Sequence, residues 1–182
     1  MILPGKTLGM LGGGQLGRMF VMAARSMGYY VIVLDPDPDS PAGLIADEHI
    51  HASYSDQWAL EQMVKNCDAV TTEFENIPSA ALKLMEKSVT VRPSSRAVEV
   101  AQNRIAEKTF LADNGFETAR FFPIYTQDDL EFALNQIAGT AILKVASFGY
   151  DGKGQAIVNN LQEAEAAFAA MGSVACVLEE KV

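Results

Sequence analysis

Apolar positions recur with two different periods at the start of the chain. Residues 7–11 form a short apolar run that ends at a glycine turn, and apolar positions then recur at helical spacing as far as Met27. Gly28 follows this helix, and residues 29–34 form a second continuous apolar run that ends at Asp35. Such a run is typical of a strand that is buried on both faces of a parallel sheet. The pattern predicts a right-handed strand, helix and strand unit.

The same alternation continues to about residue 93. The elements predicted there are helices at about 56–66 and 78–87 and strands at 68–72 and 89–91, with His49 and His51 on a further strand. Strands that alternate with helices in this way form a parallel sheet. We therefore expect residues 1–93 to form an α/β domain with an open, doubly wound, Rossmann-like sheet.

A second module is predicted over residues 94–182, after the turn at Pro93. A charged helix over 96–114 opens it. The elements expected next are strands at 121–125, 141–145, 155–158 and 174–178, helices at 128–137 and 161–171, and a glycine loop at 149–154. The chain then stops at Glu179 to Val182 with no capping helix or polar tail, so we expect it to be a fragment of a longer protein.

Composition and charge narrow the class of protein. The 182 residues are 49% hydrophobic and 20% charged, which is enough apolar material for a folded core. The 14 Lys and Arg residues against 23 Asp and Glu residues give a net charge of −9, which disfavours nucleic acid and anionic membrane as partners. No apolar run is long enough to span a membrane, and no secretory signal is present. Cys67 and Cys176 have no disulfide or zinc spacing, so a reducing, cytoplasmic location is expected.

The glycine turn is the first candidate for a binding site. Residues 12–17 match G-x-G-x-x-G between a strand and a helix, where backbone N–H groups and the helix dipole face an anion. Asp35 ends the next strand, about where a dinucleotide fold places its ribose-binding acid, ~20 residues on. An NAD site, another phosphate or ribose site, and a turn that serves only close packing all remain open.

Two carboxylates follow the strand predicted at 68–72. Glu73 and Glu75 lie at the strand end where open α/β sheets hold ligands, and they can bind hydroxyl groups or an amine. The alternative is that they are solvated acids that cap the helix at Pro78. His49 and His51 share a strand face but have no third ligand at a metal-site spacing, so a structural role is expected for both.

Lys144 is the most informative residue of the second module. It lies inside an apolar strand, where a lysine is costly unless it meets an anion, and this predicts a phosphate contact. The glycine loop that follows contains Lys153, and exposed N–H groups and a cation suit a polyphosphate. A glycine-rich hairpin with a surface lysine is the alternative. Arg104 and Lys108 on the charged helix favour nucleotide binding.

Four motifs occur in one order along the chain. They are residues 13–19 (GGQLGRM), 72–78 (TEFENIP), 103–108 (NRIAEK) and 149–155 (GYDGKGQ). With these motifs the sequence resembles the N5-carboxyaminoimidazole ribonucleotide synthetases, a family of ATP-grasp carboxylases in purine biosynthesis, and the likeness covers the whole chain. The resemblance implies a Rossmann-like preATP-grasp domain followed by the first part of an ATP-grasp domain. In this family we would expect a more polar or basic stretch than residues 145–147 (VAS).

The resemblance also implies a reaction and its partners. Members of this family use ATP, Mg²⁺ and bicarbonate to carboxylate 5-aminoimidazole ribonucleotide through a carboxyphosphate intermediate. A homodimer is implied, and no magnesium ligand is identified in the chain, so these ligands are expected beyond residue 182. A fragment that lacks them is expected to be inactive alone. An NAD-dependent dehydrogenase, another ATP-grasp carboxylate-amine ligase and a non-enzymatic nucleotide-sensing or assembly module are the alternatives.

Site residues follow from the resemblance position by position. Substrate binding is implied for Gln15, Leu16, Glu73 and Glu75. ATP binding is implied for Arg104, Lys144, Gly149, Tyr150, Asp151, Gly152, Lys153, Gly154 and Gln155, and for an adenine hinge of Glu179, Glu180, Lys181 and Val182. Tyr150 and Asp151 are implied to lie near the bicarbonate and the amine as catalytic residues.

Overall fold

A computed structural model describes residues 1–147 and 154–182. The chain divides into two compact units, Met1–Glu99 and Val100–Val182. The division at residue 93 stays a prediction. No helix in the described ranges is long and apolar enough to cross a membrane.

The first unit is built on a five-stranded parallel sheet. Its strands are β1 (Thr7–Leu11), β2 (Tyr30–Asp35), β3 (Glu48–His51), β4 (Ala69–Thr72) and β5 (Thr90–Val91), in the order β3-β2-β1-β4-β5. Its helices are α1 (Gln15–Ser26), α2 (Gln57–Asn66) and α3 (Ser79–Met85), with a 3₁₀ turn at Gly43–Ile45, and the boundary with the second unit falls within α4 (Ser95–Ala101). The strand order reverses between β1 and β4, which is the edge where open α/β sheets bind ligands.

The strand β2 explains why this sheet is covered on both faces. Successive side chains of a strand point to opposite faces. Val31 and Val33 pack in the cluster that includes Val21 of α1, whereas Ile32 and Leu34 pack in the cluster that includes α2. A continuous apolar run therefore fills two separate cores. The predicted doubly wound sheet is confirmed.

The second unit has a four-stranded antiparallel sheet. Its strands are β6 (Phe121–Ile124), β7 (Ala141–Val145), β8 (Gln155–Val158) and β9 (Cys176–Glu180), in the order β6-β9-β7-β8. Its helices are α5 (Arg104–Asp113), α6 (Gln127–Gln136) and α7 (Leu161–Ala170). Its core contains Ile124, Leu143, Phe168 and Leu178.

The single helix predicted over 96–114 is wrong, because the chain breaks it at Asn103. The side-chain Oδ1 of Asn103 accepts hydrogen bonds from the N–H groups of Ile105 at 2.9 Å and Ala106 at 3.1 Å. Asparagine is a strong N-cap, and this cap begins a new helix, α5. Charge and apolar spacing alone did not reveal the break.

The last strand begins and ends two residues later than the prediction of 174–178. Glu179 is paired in register with Phe121 of β6 and with Ile142 of β7. The N–H of Glu180 donates to the carbonyl of Arg120 at 2.9 Å. Glu179 therefore belongs to a central strand, and its backbone is paired on both sides.

Both cysteines are free and buried. Burial raises the pKa of the Cys67 thiol to about 12, and burial also raises the pKa of Cys176. Since the thiolate is the reactive form, neither side chain is activated as a nucleophile.

Candidate functional site

The glycine turn joins β1 to α1 at the edge where the strand order reverses. Gly12 has a φ of +104°, a conformation that side chains of L-residues rarely adopt. A Cβ on Gly17 would lie 2.6 Å from the carbonyl oxygen of Gly12, so a larger residue would push the helix away from the turn. These two glycines bring the first turn of α1 close to the end of β1.

Carboxylates of the chain itself occupy the N–H donors of this turn. The N–H of Gly13 donates to Oδ2 of Asp35 at 2.6 Å. The N–H of Gly14 donates to Oε2 of Glu73 at 2.5 Å, and the N–H of Leu16 donates to Oε1 of Glu73 at 3.2 Å. Glu73 therefore takes the position at the start of α1 where a phosphate is expected in a dinucleotide fold.

Asp35 is also bound from its other sides. The side chain is only 7% exposed. The hydroxyl of Tyr54 donates to Oδ2 at 2.6 Å, and the N–H of Asp37 donates to Oδ1 at 2.8 Å. Burial, together with the hydrogen bond to Asp35, raises the pKa of Tyr54 far above its usual range. Asp35 has the contacts of a structural carboxylate that organises the turn.

The other residues expected to bind the substrate, Gln15, Leu16 and Glu75, are exposed to solvent. Gln15 and Leu16 are exposed in the first turn of α1, and the side chain of Leu16 is 61% exposed. Glu75 is also exposed. The structure thus brings the Leu16 backbone and the Glu73 side chain into direct contact. Substrate binding by these four residues stays a prediction.

In the second unit a buried carboxylate lies between two lysines. Nζ of Lys108, on α5, lies 2.7 Å from Oε2 of Glu179. Nζ of Lys144, on β7, contacts Oε1 of the same carboxylate. Glu179 is 5% exposed. Among the described residues the anion that Lys144 contacts is therefore a carboxylate of β9, and the phosphate contact stays a prediction.

Arg104 adds a third cation next to this pair. Its N–H donates to the carbonyl of Ala146 at 2.8 Å, and its Nη1 donates to the carbonyl of Val145 at 3.2 Å. Nδ2 of Asn103 donates to Oγ of Ser147 at 3.2 Å. The start of α5 is thereby fixed to the end of β7. The residues 145–147 that depart from the family pattern act here largely through their backbone carbonyls.

The electrostatics of this cluster favour an anion. Burial lowers the pKa of Lys144, and the neighbouring cations Lys108 and Arg104 lower it further. Burial also lowers the pKa of Lys108. Lys108 and Lys144 share the carboxylate of Glu179, and the nearby charge of Glu107 raises the pKa of Lys108 in part. An added phosphate would relieve the repulsion between the cations.

The loop residues expected to cover ATP are only partly described. Gly149, Tyr150, Asp151, Gly152 and Lys153 lie outside the described residues. Gly154 has a φ of +71°, and its carbonyl accepts a hydrogen bond from the N–H of Val145 at 2.8 Å. Gln155 is exposed and pairs in register with Lys144. The loop therefore leads back into the sheet directly beside this lysine.

The expected adenine hinge continues from the same strand as the buried carboxylate. Glu180, Lys181 and Val182 are exposed, and the N–H of Lys181 donates to the carbonyl of Thr140 at 3.2 Å. Among the described residues, no group of three or more His, Cys, Asp and Glu side chains is arranged to hold a metal ion. The expectation of magnesium ligands beyond residue 182 stays a prediction.

The sequence did not identify Glu179 as the partner of Lys144 and Lys108. The three residues come from α5, β7 and β9, which are distant along the chain. Their meeting depends on the antiparallel pairing of β7 with β9, which no local pattern encodes. The available signal was a single acid, Glu179, next to an apolar strand, together with a single lysine, Lys144, inside another. The predicted strand ended at residue 178, so Glu179 was placed just outside it.

Comparison with known proteins gives a match for each unit. Residues 5–102 match the family model of the ribonucleotide synthetase preATP-grasp domain. Residues 109–182 match the ATP-grasp domain.

Individual relatives agree with these family matches. The N5-carboxyaminoimidazole ribonucleotide synthase of Brucella melitensis is 42% identical over 97% of this chain, which spans 49% of that protein. The structure of N5-carboxyaminoimidazole synthetase from Staphylococcus aureus with ADP has a TM-score of 0.94 at 36% identity, covering 100% of this chain and 48% of that one. The structure of the Aspergillus clavatus synthase with ADP and 5-aminoimidazole ribonucleotide has a TM-score of 0.86 at 30% identity, covering 97% of this chain and 46% of that one. The chain spans about half the length of the relatives that it matches.

Proposed function

Since the chain belongs to the ribonucleotide synthetase preATP-grasp family, we propose that it is part of an N5-carboxyaminoimidazole ribonucleotide synthetase. Such an enzyme uses ATP and bicarbonate to carboxylate the amine of 5-aminoimidazole ribonucleotide. The products are N5-carboxyaminoimidazole ribonucleotide, ADP and phosphate. The observation that carries the proposal is the pair of Lys108 and Lys144 at the Glu179 carboxylate, in the unit that matches the ATP-grasp domain.

The chemistry requires two transfers. A bicarbonate oxygen attacks the γ-phosphorus of ATP, and the bond to ADP breaks to give carboxyphosphate. The amine of the ribonucleotide then attacks the carboxyl carbon, phosphate leaves and the amine loses a proton. Both steps develop charge on phosphate oxygens, which fixed cations stabilise. Arg104 and Lys144 are suited to this task, since Arg104 is held by backbone carbonyls and Lys144 by its strand.

The first unit is proposed to hold the ribonucleotide. Gln15, Leu16 and Glu75 are exposed at the switch point of the sheet, next to the Glu73 carboxylate. Carboxylate and amide groups bind the hydroxyl and amine groups of such a substrate. Tyr150 and Asp151 are proposed to act near the bicarbonate and the amine, and Glu179 to Val182 to border the adenine.

Mg²⁺, a homodimer and a cytoplasmic location complete the proposal. The dimer is proposed to form through the first unit, because Met19, Met22 and Met27 on and just after α1 are 58–65% exposed. An apolar cavity of about 260 Å³ lies beside Met27 and is lined also by Phe20 and Ala23. Exposed apolar patches of this kind mark association surfaces.

The reaction is tested with the protein that carries this chain. ATP consumption should require both bicarbonate and 5-aminoimidazole ribonucleotide, and N5-carboxyaminoimidazole ribonucleotide should accumulate in equal amount with ADP. Consumption of ATP that ignores either substrate would contradict the proposal and favour another ATP-grasp ligase. Nucleotide binding without any turnover would favour the nucleotide-sensing module.

An NAD-dependent dehydrogenase is disfavoured by the glycine turn itself. Its donors are bound to Asp35 and Glu73, so that a pyrophosphate would have to displace two carboxylates. Titration with NADH is the direct check. Saturable binding in the micromolar range would contradict the proposal.

A further inference from the structure

Lys108 lies in the cation cluster but is assigned no role by the family resemblance. It is one turn along α5 from Arg104 and is held on two sides. Its Nζ lies 2.7 Å from Oε2 of Glu179 and 5.4 Å from the centre of the Phe121 ring. The side chain is only 18% exposed. A lysine side chain with these two contacts has lost most of its conformational freedom, which costs free energy.

The two lysines bind different oxygens of one carboxylate. Oε1 of Glu179 contacts Lys144, and Oε2 contacts Lys108. Glu179 itself cannot move far, because its backbone is paired on both sides within the sheet. The lysine side chain is a flexible four-carbon stem with a point charge, so its position depends on such contacts. Glu179 therefore fixes the ammonium of Lys144 in space.

Charge balance gives Lys108 a specific task. Lys108 supplies one of the two ammonium groups that share the carboxylate of Glu179. Without Lys108 the whole charge of that carboxylate would act on Lys144, and the site would attract an incoming anion less strongly. Both effects act at a partly buried site, since the side chains of Lys108 and Lys144 are 18% and 23% exposed, and charge interactions there are stronger than in water.

We infer that Lys108 is a positioning residue for nucleotide binding, acting through Glu179 on Lys144. The inference rests on the proposed function, in which Lys144 meets the phosphates of ATP. Lys108 itself is not assigned a contact with the nucleotide. Its effect is to hold Glu179 and to leave the charge of Lys144 available.

The test compares four forms of the protein that carries this chain: the parent, Lys108→Met, Lys108→Arg and a control, Lys6→Met. Lys6 forms an exposed pair with Asp68 in the first unit at 3.2 Å, so its loss removes a lysine and an ion pair elsewhere. The dissociation constant of Mg-ADP is measured by calorimetry, and KM for ATP and kcat are measured by ATP consumption. Thermal midpoints report folding.

For Lys108→Met we expect the Mg-ADP dissociation constant and KM for ATP to rise about tenfold while kcat changes less than about twofold. Lys108→Arg should stay within about twofold of the parent, because arginine keeps the charge and can still bind the carboxylate. Lys6→Met should match the parent. If Lys108→Met does not fold, Lys108→Gln carries the same expectation.

Two results would overturn the inference. One is Mg-ADP binding by Lys108→Met that equals the parent's. The other is a loss that Lys108→Arg does not repair while its thermal midpoint is normal. A parent protein that binds Mg-ADP but consumes no ATP with 5-aminoimidazole ribonucleotide would refute the proposed function alone, because the binding comparison remains interpretable.

Discussion

The glycine turn of the first unit and the lysine pair of the second each bind a glutamate side chain, but with different kinds of hydrogen-bond donor. In each, a glutamate from a neighbouring strand or strand end supplies an anion: Glu73 to the turn and Glu179 to the lysines. The donors in the first unit are backbone N–H groups, whose positions are set by the chain path. The donors in the second are side-chain ammonium groups, which depend on contacts for their position.

This difference has consequences for stability and for binding. Of the backbone donors that would lose Glu73, the N–H of Leu16 is exposed and that of Gly14 is partly buried, so water can replace part of the lost contact. Ammonium groups that lose Glu179 repel each other in a half-buried place, where solvation is poor. We therefore expect the loss of Glu179 to destabilise the second unit more than the loss of Glu73 destabilises the first.

The largest effect is expected from Glu179→Gln. Loss of the charge leaves Lys108 and Lys144 facing each other, and breaking a buried pair in this way costs about 3 kcal/mol. We expect the amides of β7 and β9 to exchange hydrogen faster by the corresponding factor. Glu180→Gln, one residue along and exposed, is the matched control and should change little. Equal exchange in the two variants would erase the contrast between the units.

A smaller effect is expected from Glu73→Ala. The N–H groups of Gly14 and Leu16 lose their acceptor, and loss of a helix cap of this kind costs about 1–2 kcal/mol. Glu73→Gln keeps one acceptor oxygen and should cost less. Urea unfolding followed by the fluorescence of Trp58, in α2 of the same unit, measures both. A cost above that of Glu179→Gln would reverse the comparison.

Gly154→Ala tests whether the strand that carries Lys144 tolerates a change at the end of its loop. A Cβ there would lie 2.7 Å from Cγ2 of Val145, in addition to the strain of a φ of +71°. Gly115→Ala is the control, since Gly115 has a φ of +79° with open space around its Cβ position. Both should lose about 1 kcal/mol from the backbone, and Gly154→Ala about 1 kcal/mol more from the contact. Equal losses in the free energy of unfolding would show that the side chain of Val145 moves away from the new Cβ without a measurable cost.

The smallest effect concerns an exposed carboxylate that caps a helix. Hydrogen bonds from Asn159 and Asn160 lower the pKa of Glu163 in the folded chain. Its contribution to stability is therefore present above the pKa of the unfolded chain and is lost as the pH falls through the lower folded value, from about pH 4.3 downward. In Glu163→Gln the thermal midpoint should fall less between pH 5 and pH 3 than it does in the parent. An equal fall in the two proteins would contradict this.

Much of the first unit could be predicted because its signals are local. The apolar run that became β2, the glycine turn and the start of α2 at Asp56 are each specified within a few residues. The side chain of Asp56 accepts the N–H of Ala59 at 2.8 Å, so the cap and the helix lie together in the sequence. The parallel order followed from the alternation of strands and helices.

The second unit was harder because its decisive contacts are distant along the chain. The break at Asn103 follows from a cap that also bonds to Ser147, 44 residues away. The role of Glu179 follows from pairing with two strands that come earlier in the sequence. The lysine's need for an anion could be predicted from its apolar strand, whereas the identity of that anion required the fold.

The tethered carboxylates also set a threshold for which solutes can enter. A glutamate held beside its donors acts as a competitor at an effective concentration of millimolar or more. Chloride, free phosphate and metabolite carboxylates, each with one or two charges and no further contacts, must compete with Glu179 for the charge of Lys144. A polyphosphate that engages several cations and a base edge together can bind without displacing Glu179. The Glu179 carboxylate at Lys144 therefore favours binding of polyphosphates over small anions of one or two charges.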